Sequence, residues 1–141
     1  MKLIPISEHP DHAKILYDLL AERESNVNIS HKKMPTWEEH CAFVANQPYE
    51  AWDLIVVGDD VVGTVYLTPM PPASIRGNEI GIFIFKAHQG NGYGPQAIRM
   101  LMERHGPRRY LANISPSNPR SMRMFEALGF RHSETTFERY T

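Results

Sequence analysis

Gln89-Gly90-Asn91-Gly92-Tyr93-Gly94 is the stretch on which the reading of this chain turns. Upstream of it, Glu79-Ile80-Gly81-Ile82-Phe83-Ile84-Phe85 is dense in β-branched and aromatic side chains, a strand signal. Downstream, Ala97, Ile98, Leu101 and Met102 recur at helical spacing, and Arg104 and His105 followed by Gly106 and Pro107 mark the helix end. Pro95 falls in the first turn of that helix, where a missing N–H costs nothing. A strand, a glycine loop and a helix start together form a device for binding anions. Glycine lets the backbone turn tightly and approach a ligand, and the first N–H groups of a helix have no internal partner. With the helix dipole they attract phosphate, so the stretch reads as a cradle suited to a diphosphate.

Known cradles differ in their spacing. The dinucleotide fingerprint needs glycine or alanine where this chain has Pro95, and the Walker loop needs a Gly-Lys-Ser/Thr that is absent. A third pattern, Gln/Arg-x-x-Gly-x-Gly/Ala, is met by Gln89, Gly92 and Gly94. Here the chain resembles the GNAT family of acetyl-coenzyme A-dependent N-acetyltransferases. A glycine turn without a ligand is the other reading of so short a motif.

The remainder of the chain narrows the choice. Its 141 residues make about one domain, spanning residues 1–141. The formal net charge of −1 gives no footprint for nucleic acid or an anionic membrane surface. Cys41 stands alone, so no intrachain disulfide forms, and a cytoplasmic setting fits. No signal peptide or run of membrane-spanning length is read. Seven histidines bring no Cys/His/carboxylate cluster with zinc spacing, so no metal is expected.

Taken in order, Lys2 to Ile6 reads as a strand and Pro10 to Arg23 as a helix. Ser25 to Pro35 reads as a loop. A second helix opens at Thr36-Trp37-Glu38-Glu39, a capping box. Trp52 to Val57, Val61 to Thr68 and Glu79 to Phe85 follow as three strands, with short turns that suggest an antiparallel meander. After the cradle and its helix, Tyr110 to Ile114 reads as a strand. Asn118 caps a helix with Pro119 at its first position, and Phe130 to Tyr140 reads as strand-like, broken near Ser133-Glu134. The order β-α-α-β-β-β-α-β-α-β places the chain in the α/β or α+β class.

The resemblance extends to Asn118-Pro119-Arg120-Ser121-Met122-Arg123-Met124-Phe125-Glu126-Ala127-Leu128-Gly129-Phe130. Family members carry Asn-x-x-(Ala/Ser)-x-x-(Leu/Met)-Tyr-Glu-x-x-Gly-Phe there, and Asn118, Ser121, Glu126, Gly129 and Phe130 match. The implied fold has a mixed, mostly antiparallel sheet of roughly six to seven strands flanked by about four helices. The implied co-substrate is acetyl-coenzyme A. Its diphosphate would meet the amides of Gln89, Gly90, Asn91, Gly92, Tyr93 and Gly94. Its pantetheine arm would pair with Ile82, Phe83 and Ile84 as an added strand, in a gap the family opens between two strands. An amide near Ile84 is a candidate oxyanion donor. Asn118 would bond the arm, with Ser121 and Phe125 beside it.

An alkylamine, with a pKa of roughly 10, arrives protonated and needs a base. Glu79, at the start of the central strand, is the candidate, with a solvated strand-end carboxylate as the alternative. Family members often have tyrosine as general acid where this chain has Phe125, which cannot donate a proton. Ser121 and Tyr93 are possible substitutes. His31 to His40, followed by Phe43, resembles the acceptor region of acetyltransferases acting on nucleotide-linked amino sugars, with His31 and Trp37 as candidate acceptor contacts. Helix capping alone can produce the same pattern. The expectation is direct acetyl transfer to a primary amine, with an amino sugar, another small amine, a lysine or a protein N-terminus as acceptor. A non-catalytic coenzyme A sensor is the alternative, and the resemblance leaves a homodimer open.

Overall fold

The computed structural model describes residues 1–22, 34–69 and 77–141. Among these residues lie strands β1 (Lys2–Pro5), β2 (Ala51–Val57), β3 (Asp60–Leu67), β4 (Asn78–Ile84) and β5 (Tyr110–Leu111). The helices are α1 (His12–Ala21), α2 (Trp37–Ala45), α3 (Tyr93–His105) and α4 (Pro119–Ala127). The strands form one sheet in the order β1-β2-β3-β4-β5. The first four run antiparallel as a meander, and β5 joins β4 in parallel. The parallel step follows from α3, since a crossover of that length is what a parallel neighbour requires.

Period-two alternation gives the sheet two apolar faces. Leu3, Ile55, Val65, Leu67 and Ile80 point to the side covered by Ala97, Ile98 and Leu101 of α3 and Phe125 of α4. Leu54 points to the other side, with Leu16 and Leu19 of α1 and Val44 of α2, and Trp52 and Phe83 flank this second core. Each such side chain removed from water contributes about 1.5–3 kcal/mol. Arg104 of α3 is tied to the sheet through Asp53 Oδ2 at 3.1 Å and Leu3 O at 3.2 Å.

Local signals set the helix starts. Thr36 Oγ1 accepts from Glu39 N at 3.2 Å while Glu39 Oε1 accepts from Thr36 N at 2.9 Å, so the capping box forms as the sequence indicates. Those bonds to Thr36 hold the Glu39 carboxyl below its ordinary range. Asn118 caps α4, with Pro119 in the first turn.

Three expectations are corrected. The sheet has five strands among the described residues, not six to seven, and β5 stops at Leu111 rather than Ile114. Phe130 to Tyr140 is not a strand. A strand needs a neighbour for its N–H and C=O groups, and β5, only two residues long, offers almost no ladder. Phe137 and Tyr140 are 91% and 71% exposed and lie outside the core.

Candidate active site

The β4 strand carries a split ladder. Its odd-numbered residues bond toward β3, as Thr68 N donating to Glu79 O (2.9 Å) and Phe85 N donating to Val62 O (2.9 Å) mark at the two ends. Its even-numbered residues face β5, where Asn78 N donates to Arg109 O at 3.1 Å. Pairing with β5 covers only Asn78↔Tyr110 and Glu79↔Leu111. Past that point the chains diverge, and Gly81 to Ile84 line a cleft whose opposite wall includes Ala112, Asn113 and Ile114. The backbone N–H and C=O of Ile82 therefore lie on an edge with no described strand opposite, suited to an extended, amide-bearing ligand.

The glycine loop sits at the mouth of this gap. Gly92, the residue before α3, adopts φ 78° and ψ 11°, and no side chain caps the helix. A Cβ there would be strained, although nothing lies within 4 Å of it. The first bond into the helix is Gln96 N to Gly92 O at 3.3 Å, and Pro95 has no N–H. The amides of Tyr93 and Gly94 thus precede the helical ladder at its positive end, where an anion is favoured. Gln89 departs from the expectation that every amide from 89 to 94 faces the ligand. Its N–H donates to Lys86 O at 3.3 Å. Its side chain braces the loop instead, Nε2 donating to Ile84 O at 3.0 Å and Oε1 accepting from Arg120 Nη1 at 3.4 Å. Asn91 is exposed and its Nδ2 donates to His88 O at 3.1 Å, so its side chain stabilises the turn.

From the opposite side α4 and its cap contribute Asn118, Ser121 and Phe125 to the cleft wall. Asn118 Oδ1 accepts from Ser121 N at 3.2 Å, which leaves Nδ2 as the donor this side chain can offer a ligand. Phe125 is 4% exposed and meets Phe130 edge-on at 5.1 Å, a packing residue that also borders the cleft.

Glu79, Gly81 and Phe83 share the sheet face toward α1 and α2, and Glu79 borders the cleft there. That face carries an aromatic wall missed from the sequence, built from Phe43, Tyr49, Trp52, Tyr66 and Phe83. Tyr49 stacks on Tyr66 at 4.0 Å and 7°, and Trp52 meets Tyr49 edge-on at 4.7 Å. Trp52 Nε1 donates to Thr64 Oγ1 at 3.1 Å, and Thr64 Oγ1 donates to Asp53 O at 2.7 Å, which fixes the indole. Tyr66 pairs with Gly81 across the ladder. A Cβ on Gly81 would lie 1.9 Å from Tyr66 Cζ and 2.4 Å from its Oη, so the ring lies over the glycine and carries its hydroxyl onto β4.

The two residues expected to touch an acceptor fare differently. His31 lies outside the described residues. Trp37 does not border the cleft; it packs on Tyr17 at 5.3 Å and His40 at 5.9 Å. His40 is buried, its Nε2 2.8 Å from Ala13 O, and joins α2 to α1. Cys41 is half-buried and off the cleft wall. Among the described residues no group of three or more His, Cys, Asp or Glu is gathered as metal ligands would be.

The cleft encloses about 2150 Å³. One small ligand takes roughly 300–1,000 Å³, so two reactants can share it. Lys86 and Arg120 border its cradle end, and Glu39 and Glu79 border the end toward α1 and α2. The chain can therefore hold a phosphate-bearing molecule at one end and a cationic one at the other.

Comparison with known proteins agrees with this layout. The acetyltransferase (GNAT) domain family matches residues 1–131. A probable N-acetyltransferase, YjcK of Bacillus subtilis (strain 168), is 27% identical over 132 residues, 91% of this chain and 71% of that protein. An acetyltransferase from Thermus thermophilus superposes with TM-score 0.74 at 24% identity, covering 94% of this chain and 88% of its own. A spermidine N-acetyltransferase from Vibrio cholerae, solved with CoA and spermine, superposes with TM-score 0.79 at 15% identity, covering 94% and 83%.

Proposed function

The chain belongs to the GNAT acetyltransferase family, and from that premise we propose that it moves an acetyl group from acetyl-coenzyme A directly onto a small primary amine. The observation that carries this reading is the halt of β4–β5 pairing at Glu79↔Leu111, which opens a gap whose mouth holds a helix start preceded by left-handed glycine. The chain's own groups fit the co-substrate. The amides of Tyr93 and Gly94, flanked by Arg120, would hold the diphosphate. The open edge of β4 at Ile82 would take the amide-bearing arm, and Asn118 Nδ2 would donate to it from α4. The thioester supplies the activated acetyl carbon at the closed end of the gap.

The amine would enter on the aromatic face. Its cationic form is attracted to ring faces and to Glu79, which would take its proton so that the nitrogen can attack. Cys41 is off the cleft wall, which favours direct transfer over an acetyl-enzyme. For the acceptor, Glu39, His40 and Phe43 of the amino-sugar resemblance border the cleft. Glu39 is engaged in the capping box and His40 in the α1–α2 junction, while Trp37 packs outside. The wall of pinned rings favours an amine with a ring or alkyl body.

The test is thiol release from acetyl-coenzyme A with a panel of alkyl-, aryl- and sugar amines. We expect amine-dependent release. Glu79→Gln should lower kcat by about 10²–10⁴-fold with coenzyme A affinity by calorimetry unchanged. Coenzyme binding without amine-dependent release from any panel member would overturn the reading.

A further inference from the structure

Transfer leaves a thiolate at the closed end of the gap, and Phe125 has no proton to offer it. The place of that sulfur follows from the layout, and this step rests on the reading above. The cradle at Tyr93 and Gly94 lies beyond the C-terminal end of β4. A ligand arm running from it along the open β4 edge passes Ile84 and Ile82, then meets the point where β5 closes on Glu79. Ile84 to Gly81 spans about 10 Å of strand. The arm therefore ends level with Gly81. The side chain over Gly81 is Tyr66, whose Oη sits 2.4 Å from where a Cβ would be. Glu79 lies two residues away on the same face, about 7 Å along the strand.

We propose that the Tyr66 hydroxyl donates the proton to the departing sulfur. The amine lone pair forms the N–C bond to the acetyl carbonyl carbon, and the C–S bond breaks with its electron pair going to sulfur. The Tyr66 O–H proton passes to sulfur and yields the free thiol. Glu79 passes the ammonium's first proton to water before attack and takes the second from the nitrogen after it, and the proton held by water goes to the phenolate. Gly81 is what makes this possible, because any other residue there displaces the ring from β4. The stack on Tyr49 holds the ring from its other partner.

The test is Tyr66→Phe in the full chain, which keeps the ring and removes only Oη. Thiol release is followed with amine and, as hydrolytic background, without it. We expect kcat to fall by about 10²-fold, with KM for acetyl-coenzyme A and thermal stability unchanged. The wild-type rate should decline in the alkaline range where phenols ionise, and the variant should lack that decline. A kcat within twofold of wild type, or a loss confined to KM for the amine, would overturn the proposal and leave Tyr66 as acceptor wall. Wild-type protein inactive toward every amine overturns the acceptor reading instead. In that case the background release, which needs the same leaving sulfur, still decides Tyr66.

Discussion

Gly81→Ala is the substitution whose consequence can be worked most fully from the structure. The added Cβ would stand 1.9 Å from Tyr66 Cζ and 2.2 Å from Cε1. Carbon atoms settle about 3.5 Å or more apart, so the ring must retreat by roughly 1.6 Å. Tyr49, stacked on it at 4.0 Å, opposes that retreat. Overpacking of this kind costs about 1–3 kcal/mol. For this 141-residue chain that lowers Tm by roughly 3 °C per kcal/mol. The hydroxyl moves with the ring, and a misplacement beyond about 1 Å lowers catalysis by on the order of 10²-fold. The assay is a cycle with Tyr66→Ala, read by urea melts and thiol release. Without the ring, Gly81→Ala should be neutral or stabilising by about 0.4–1 kcal/mol, because Gly81 is not held at positive φ. The expected coupling is therefore about 1–3 kcal/mol. Equal losses in both backgrounds, or no loss in either, would refute the steric argument and remove the basis for placing Oη on β4.

The sequence revealed what is local and missed what depends on register. The capping box at Thr36 and Glu39, the Asn118 cap and the glycine turn before α3 each lie within a few residues and each forms as read, while the Gln89 amide turns to Lys86 O instead. The meander was legible because Gly58 and Asp59 form the β2–β3 turn, but the register beyond it was not: a one-residue bulge between Ile55 and Val56 shifts the pairing so that Trp52 meets Tyr66. The pairing of Tyr66 with Gly81 was not legible. It crosses the stretch from Pro69 to Gly77, too long to dictate register, so the aromatic wall and its glycine could not be joined from sequence. Trp37 departs from expectation for a related reason. Its position at the helix start is as read, but which neighbour it meets depends on how α1 and α2 cross, and Tyr17 is that neighbour. The C-terminal segment shows the limit of local composition as a signal: Thr135, Thr136, Phe137 and Tyr140 favour a strand, but β5 is too short to pair with it.

Two further outcomes follow from the cradle and from the buried carboxyl of Asp53. Gly92→Ala places a Cβ on a residue at φ 78° in otherwise open space. It should cost about 1–2 kcal/mol of stability and weaken coenzyme A binding by calorimetry. Undiminished affinity would mean that the Tyr93 and Gly94 amides are not aimed by this turn. Asp53 gives the pH prediction. Its burial raises the carboxyl above the ordinary value of 3.8, against the pull of the Arg104 guanidinium. The folded state therefore holds this proton where the unfolded chain has released it. By linkage, stability from this group falls as pH climbs from 3.8 through the raised folded value, and is level above it. Other carboxylates oppose this trend, so total stability does not isolate it. The difference in Tm between wild type and Asp53→Asn does, since the amide keeps the shape and can still accept from Arg104. That difference should shift toward wild type on acidification and be flat near neutrality. A shift in the opposite direction would mean that the 3.1 Å contact with Arg104 outweighs the loss of water around a side chain only 5% exposed.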